Sequence, residues 1–140
     1  MKIDIWTDGS CRPNPGPGGW AAILKTKLPN GEAYEKEISG GKDDSTNNEM
    51  EMLAVEMALK AITQQGCSIV IHTDSRMVIG LMAWGWKAKS SHLRQLVGRI
   101  SGRISLGEHT VEYRKVIAHN GDKMNERADE LAKEAVPLVF

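Results

Sequence analysis

Cysteine is scarce in this chain of 140 residues: Cys11 and Cys67 are the whole supply, too few for a disulfide framework, and neither stands at zinc-finger spacing from a histidine. Free thiols in a reducing compartment are the expectation. Net charge is missing as well, since 18 Lys+Arg meet 18 Asp+Glu. Proteins that grip a nucleic-acid backbone usually carry a basic excess that displaces counterions, so composition alone argues against that partner. Long apolar runs are absent: no stretch approaches the roughly 20 residues of a membrane span. Acids also interrupt the opening Met1-Lys2-Ile3-Asp4-Ile5, where a secretory signal would be apolar. A cytoplasmic protein with no membrane partner follows as the expectation. Repeats, linkers and low-complexity tracts are lacking too, which leaves a single domain spanning 1–140. Its 41% hydrophobic and 26% charged content is ordinary for a globular chain.

What is present is a pattern of strands and helices. Ile3, Ile5 and Thr7 alternate with Asp4 and Trp6, predicting a first strand that delivers Asp8 to its carboxyl end. Three prolines and three glycines in Arg12–Gly19 predict a loop. Strands at about Trp20–Leu28 and Ala33–Ser39 are joined across Pro29-Asn30-Gly31, a hairpin signal. Ser45-Thr46-Asn47-Asn48 offers helix caps, and Met50, Leu53, Ala54, Met57 and Ala61 recur at helical spacing up to Gly66. Ser68–Asp74 predicts a strand that, after a helical crossover, lies parallel to the first. Two helices should fill Ser75 to about Leu106, followed by a strand from Glu108 to about Ile117 and a final helix from about Asn125. The fold class is α/β: a five-stranded mixed sheet, three antiparallel strands then two parallel, with helices on both faces.

Four acids fall at special places. Asp8 and Asp74 end two strands that share one sheet edge, Glu51 lies early in the long helix, and Asp129 starts the last one. Ligand sites of open α/β sheets form outside such carboxyl ends. Acids gathered from four elements repel one another, and burial adds a desolvation cost. A hard divalent cation resolves this, and Mg²⁺, with its preference for oxygen ligands, suits a phosphate substrate. Two such ions can clamp the attacking and leaving oxygens of a phosphoryl displacement.

The flanking residues sharpen the picture. Thr7-Asp8-Gly9-Ser10, Asn14-Pro15-Gly16-Pro17-Gly18-Gly19, Thr46-Asn47-Asn48-Glu49-Met50-Glu51, Thr73-Asp74-Ser75, His119, and Asn125-Glu126-Arg127-Ala128-Asp129 follow in order along essentially the whole chain. Together they resemble type 1 ribonuclease H. The resemblance implies a ribonuclease H-like fold and an endonuclease that cuts the RNA strand of an RNA–DNA hybrid. It also implies two Mg²⁺ ions, replaceable by Mn²⁺, and 5′-phosphate and 3′-hydroxyl products. By the same resemblance Asp8, Glu51, Asp74 and Asp129 bind metal, and Asp8 bridges both ions. His119 aids proton transfer or product departure. Asn14, Asn47 and Glu51 read ribose hydroxyls, helped by the Cys11 backbone and Asn48, while Thr46 holds a DNA phosphate. For Thr46 and Asn47, helix capping is an equally ready role and does not exclude the other. Trp84 and Trp86 either wall the DNA-strand groove or cover the core edge, whereas Trp6 and Trp20 are expected in the core and His72, His92 and His109 as ordinary core or surface residues.

Departures from the family pattern are informative. Arg76 stands where Gln is common, and Lys42-Asp43-Asp44 precedes Ser45-Thr46 where a basic residue is often found. Trp84-Gly85-Trp86 joins two segments between which many bacterial members insert a basic helix and loop, so this protrusion is reduced to Lys87-Ala88-Lys89. Weaker hybrid affinity is the expectation. Two rival readings stay open: a DNA-cutting nuclease of the same architecture, and a silent hybrid-binding module. A monomer is expected. The zero net charge itself proves to be divided. Residues 1–70 hold seven Lys+Arg against ten Asp+Glu, and residues 71–140 eleven against eight. Ser75–Gly107 carries six cations (Arg76, Lys87, Lys89, Arg94, Arg99, Arg103) and no acid, which predicts a cationic strip.

Overall fold

A computed structural model describes residues 1–117 and 122–138. Nine elements occur among them: β1 (Lys2–Cys11), β2 (Gly16–Lys27), β3 (Ala33–Ser45), α1 (Asn47–Lys60), β4 (Ser68–Thr73), α2 (Arg76–Ala83), α3 (Ser91–Leu106), β5 (Thr110–Lys115) and α4 (Lys123–Glu134). The strands form one sheet in the order β3-β2-β1-β4-β5. β1, β2 and β3 are antiparallel neighbours, whereas β1–β4 and β4–β5 run parallel. The expected mixed α/β sheet is therefore the one found.

The two faces are built differently. Ile3 and Ile5 of β1, with Ile69 and Ile71 of β4, pack with Met52 and Val55 of α1, Val78 of α2, and Leu96 and Ile100 of α3 into the main core. On the other face α4 lies against β1 and β2. The approach is close because of small residues: a Cβ on Gly19 would come 2.1 Å from the Ala132 carbonyl, and one on Gly41 2.2 Å from that of Ala135. Successive strand residues point to opposite faces. Accordingly a Cβ on Gly18 would instead strike Met50 of α1. This corrects the loop expected over Arg12–Gly19. Only 12–15 lie outside strands, and Gly16, Gly18 and Gly19 belong to β2, where Gly18 and Gly19 are needed for contact between layers rather than for turning, while a Cβ on Gly16 would come 2.6 Å from the Pro13 carbonyl oxygen. Turning is required at Gly31, whose φ of 88° sits in the hairpin between β2 and β3.

Several boundaries also move. β3 continues to Ser45, so Lys42-Asp43-Asp44 is strand rather than a pre-helix loop, because β2 keeps pairing as far as Gly16–Ser45. α1 stops at Lys60, well before Gly66. β5 is shorter than expected at both ends. α4 begins at Lys123, capped by Asp122, which accepts from Met124 and Asn125, so Asp129 sits within the helix and not at its start. Trp6, expected in the core, is only partly buried and stacks on His72 with ring centroids 4.5 Å apart. His72 in turn bonds Asp4 at 2.9 Å.

Candidate active site

Pairing between β1 and β4 ends at Trp6–His72, while β1 continues to Cys11 alongside β2 alone. The two strands part at this point. Asp8 and Asp74, each two residues past that last pair, stand side by side at the carboxyl edge. β1 does not end at Asp8 as expected; what ends there is its second neighbour. Gly9 does the rest of the positioning. Its missing side chain lets α1 come so near that a Cβ would lie 2.5 Å from the Glu51 nitrogen. Its N–H donates to Asp8 Oδ1 at 2.9 Å and to Glu51 Oε1 at 3.1 Å.

Carboxylate oxygens of Asp8, Glu51 and Asp74 consequently lie within 4.8 Å of one another. Asp8 is 4% exposed. Burial, with Asp74 and Asp129 adding repulsion and a hydrogen bond, pushes its carboxyl up to about 7. Burial and then the Asp8 charge raise Glu51 as well. Asp129 comes within hydrogen-bonding reach of Asp8 and also pairs with Lys133 at 2.9 Å. Its helix is tied to the sheet by Arg127, which donates from Nε and a terminal nitrogen to both Glu37 oxygens at 2.9 and 3.1 Å and holds that carboxyl below its usual range. Glu51 Oε2 is buried and has no hydrogen-bond partner among the described residues. A buried carboxylate oxygen without a donor, facing two further acids, is costly unless a cation satisfies it. An all-oxygen donor set fits a hard divalent ion.

A groove of about 670 Å³ at the N-terminal end of α1 is lined by Asn14, Thr46, Asn48, Ser90 and His92, among others. Thr46 caps α1, its hydroxyl accepting from Glu49 N at 3.1 Å. Asn14 Oδ1 accepts from the Asn47 N–H at 3.1 Å, which locks the 12–15 loop to that helix. The Cys11 thiol is buried among the carbonyls of Pro13, Gly16 and Ser45 at 3.2–3.4 Å and makes a structural contact only. On the far side of α2, Trp84 and Trp86 are 52% and 45% exposed and meet edge to face at 5.5 Å. Arg76 lies 5.8 and 5.7 Å from their ring centroids, within cation–π range. Trp86 rests on Gly80, and its N–H bonds the Gly80 carbonyl at 3.0 Å. The connector from α2 to α3 is thus short, as expected from the missing protrusion.

Other expectations need adjusting. His119 lies outside the described residues. The cationic strip is thinner than its sequence suggests, because Arg99 and Arg103 turn inward to the buried Glu56 at 3.0 and 3.2 Å. His92, expected to be an ordinary core or surface residue, bonds Glu49 at 2.6 Å. Neither that contact nor the Gly9 N–H bridge has a sequence signal, since each joins residues more than 40 positions apart.

Carboxylates converging where two parallel strands of a mixed sheet end form a cluster that could hold a divalent ion, the kind of group that serves phosphoryl displacement. The RNase H family model matches residues 1–137. Ribonuclease H of Xanthomonas campestris pv. campestris (strain 8004) is 44% identical over 143 residues, covering 94% of this chain and 90% of that protein. Among solved structures, LC9-RNase H1, a type 1 RNase H with the type 2 active-site motif, superposes with a TM-score of 0.82 at 29% identity, over 96% of this chain and 72% of that one. LC11-RNase H1, solved in complex with an RNA/DNA hybrid, gives 0.75 at 25% identity over 96% of each chain. The chain belongs to the RNase H family and is a ribonuclease. None of the described helices is long and apolar enough to cross a membrane.

Proposed function

We propose that this protein is a single-domain, monomeric, cytoplasmic endonuclease that hydrolyses the RNA strand of RNA–DNA hybrids, leaving 5′-phosphate and 3′-hydroxyl ends. The convergence of Asp8, Glu51 and Asp74 within 4.8 Å carries this reading, with the hybrid-bound LC11-RNase H1 as its substrate precedent. Asp8, Glu51, Asp74 and Asp129 would hold two Mg²⁺ ions, or Mn²⁺ in their place. Two such ions, when bound, stabilise the attacking and leaving oxygens of an in-line phosphoryl displacement.

The chain's own groups do the remaining work. The Gly9 N–H keeps the Asp8 and Glu51 carboxylates aimed at the same point before substrate arrives. Asn14, Asn47, Asn48 and the Cys11 backbone would supply the donors and acceptors that read a 2′-hydroxyl, the group that separates RNA from DNA. Thr46, at the α1 N-terminus, offers a hydroxyl and helix amides to a DNA phosphate. Arg76, Trp84 and Trp86 form an exposed aromatic and cationic wall for the DNA strand. His119 would assist proton transfer or product departure, as a side chain that titrates near neutrality can.

Cleavage mapping on labelled RNA–DNA, RNA–RNA and DNA–DNA duplexes in Mg²⁺ and in Mn²⁺ tests the proposal. Cutting confined to the RNA of the hybrid, and abolished in a folded Asp8→Asn variant, is the expected result. Preferential cutting of duplex DNA, binding without turnover in either metal, or full activity in Asp8→Asn would overturn it.

A further inference from the structure

Glu49 occupies the third position of α1, where a glutamate after a threonine cap would ordinarily turn back to the cap's own N–H. Here it turns elsewhere. One oxygen accepts from Ser45 Oγ at 2.7 Å, and the other receives both Lys42 Nζ at 2.7 Å and His92 Nε2 at 2.6 Å. The residue is 7% exposed, whereas the Lys42 and His92 side chains are each 47% exposed. Glu49 and His92 both line the groove that begins at Asn14 and Thr46. Two donors able to serve a phosphate, His92 in the groove and Lys42 beside Glu49, are therefore gathered on one protein carboxylate. Their geometry is that of an anion already bound.

We infer that Glu49 is an affinity-setting residue: its carboxylate takes the place of a nucleic-acid phosphate on Lys42 and His92, and so withholds both from the substrate. The inference rests on the reading of the Thr46 groove as a phosphate site. It concerns how tightly that site holds a hybrid, not which hybrid is cut. Lys42 is the residue most affected. In a protein whose exposed cations are already reduced by the inward turn of Arg99 and Arg103, one withheld lysine is a sizeable share of the backbone grip.

The consequence is a countercurrent one: removing an acid's charge at this place strengthens binding only if the released lysine reaches phosphate. Each phosphate neutralised adds about 0.9 to the slope of log affinity against log salt, or roughly 3-fold in affinity between 50 and 200 mM. Glu49→Gln keeps the shape and can still accept from Ser45, but it no longer neutralises Lys42. The Michaelis constant for an RNA–DNA hybrid in Mg²⁺ should fall, about 3-fold more at 50 mM than at 200 mM salt, and its salt slope should steepen by about 0.9. Lys42→Ala in the Glu49→Gln background should return the slope to that of the parent. Lys42→Ala alone, a change at a half-exposed side chain that does not threaten folding, should leave the slope within about 0.3 of the parent. A slope that drops by about 0.9 in Lys42→Ala alone would show the lysine already on phosphate and overturn the inference. So would a folded Glu49→Gln whose Michaelis constant is unchanged or higher. Thr46→Ala separates the two readings: if it leaves hybrid binding intact the groove is not a phosphate site, whereas weaker binding there with no gain in Glu49→Gln sinks the Glu49 inference alone.

Discussion

Asp8→Asn in the absence of metal should make the protein more stable at neutral pH, and the gain can be sized from the site. The Asp8 carboxyl stands at about 7 in the fold against 3.8 ordinarily, chiefly because it is buried. Below 3.8 both folded and unfolded chains hold the proton, and the group costs nothing. As pH climbs from there to about 7 the unfolded chain releases the proton and the folded one keeps it, so folding stability falls across that window and stays low above it. At about 1.4 kcal/mol per pH unit the ceiling is about 4 kcal/mol, on the order of 10 °C in Tm for a domain of this size. Glu37 and Glu49 act in the opposite sense, since their carboxyls are held below the ordinary value and lend stability that is lost on acidification. The difference between parent and variant reports Asp8 together with its effect on the coupled Glu51 carboxyl. Thermal melts of both in EDTA from pH 4 to pH 8 should coincide at the acid end and diverge towards pH 7, with the variant higher. Added Mg²⁺ should raise the parent and do much less for Asp8→Asn. Parallel melting curves across the whole range would refute the claim that this carboxylate is stored at a cost that a cation relieves.

Three further outcomes follow from the geometry. Gly9→Ala places a methyl 2.5 Å from the Glu51 nitrogen and 2.6 Å from the Met50 carbonyl carbon, so α1 must shift; a loss of about 1–3 kcal/mol in urea unfolding and a large fall in kcat are expected. Arg99→Ala with Arg103→Ala strands the buried Glu56 carboxylate and should cost about 3 kcal/mol by the same assay, with little change in hybrid selectivity. Gly80→Ala drives a methyl to 2.1 Å from the Trp86 ring, displacing that indole; the Michaelis constant for the hybrid should rise severalfold while kcat is largely kept, and an unmoved constant would remove Trp86 from the binding wall.

The mixed sheet and the placing of Asp8 and Asp74 at one edge of it were readable because they rest on local signals: alternation in Ile3–Thr7, helical spacing from Met50, and a hairpin at Asn30-Gly31. The errors share a cause. Glycines at 18 and 19 look like turn residues along the chain, yet their use is steric and depends on Met50 and on α4, which no local pattern reports. The six-cation stretch looked like a surface strip until Glu56, on another helix, was seen to claim two of its arginines. Trp6 looked like core because size and hydrophobicity say nothing of the open sheet face beside His72. Charge placement and layer contacts are tertiary facts, whereas strand and helix existence is largely a local one.

The parting of β1 from β4 after Trp6–His72 has a consequence for how the protein is made. The acids near that fork stand at positions 8, 51, 74 and 129, so they come from segments far apart along the chain. No early fragment contains the cluster, and an emerging chain that has not yet added α4 has neither Asp129 nor the helix that closes over Gly19 and Gly41. The four acids are therefore brought together only once α4 has joined the sheet.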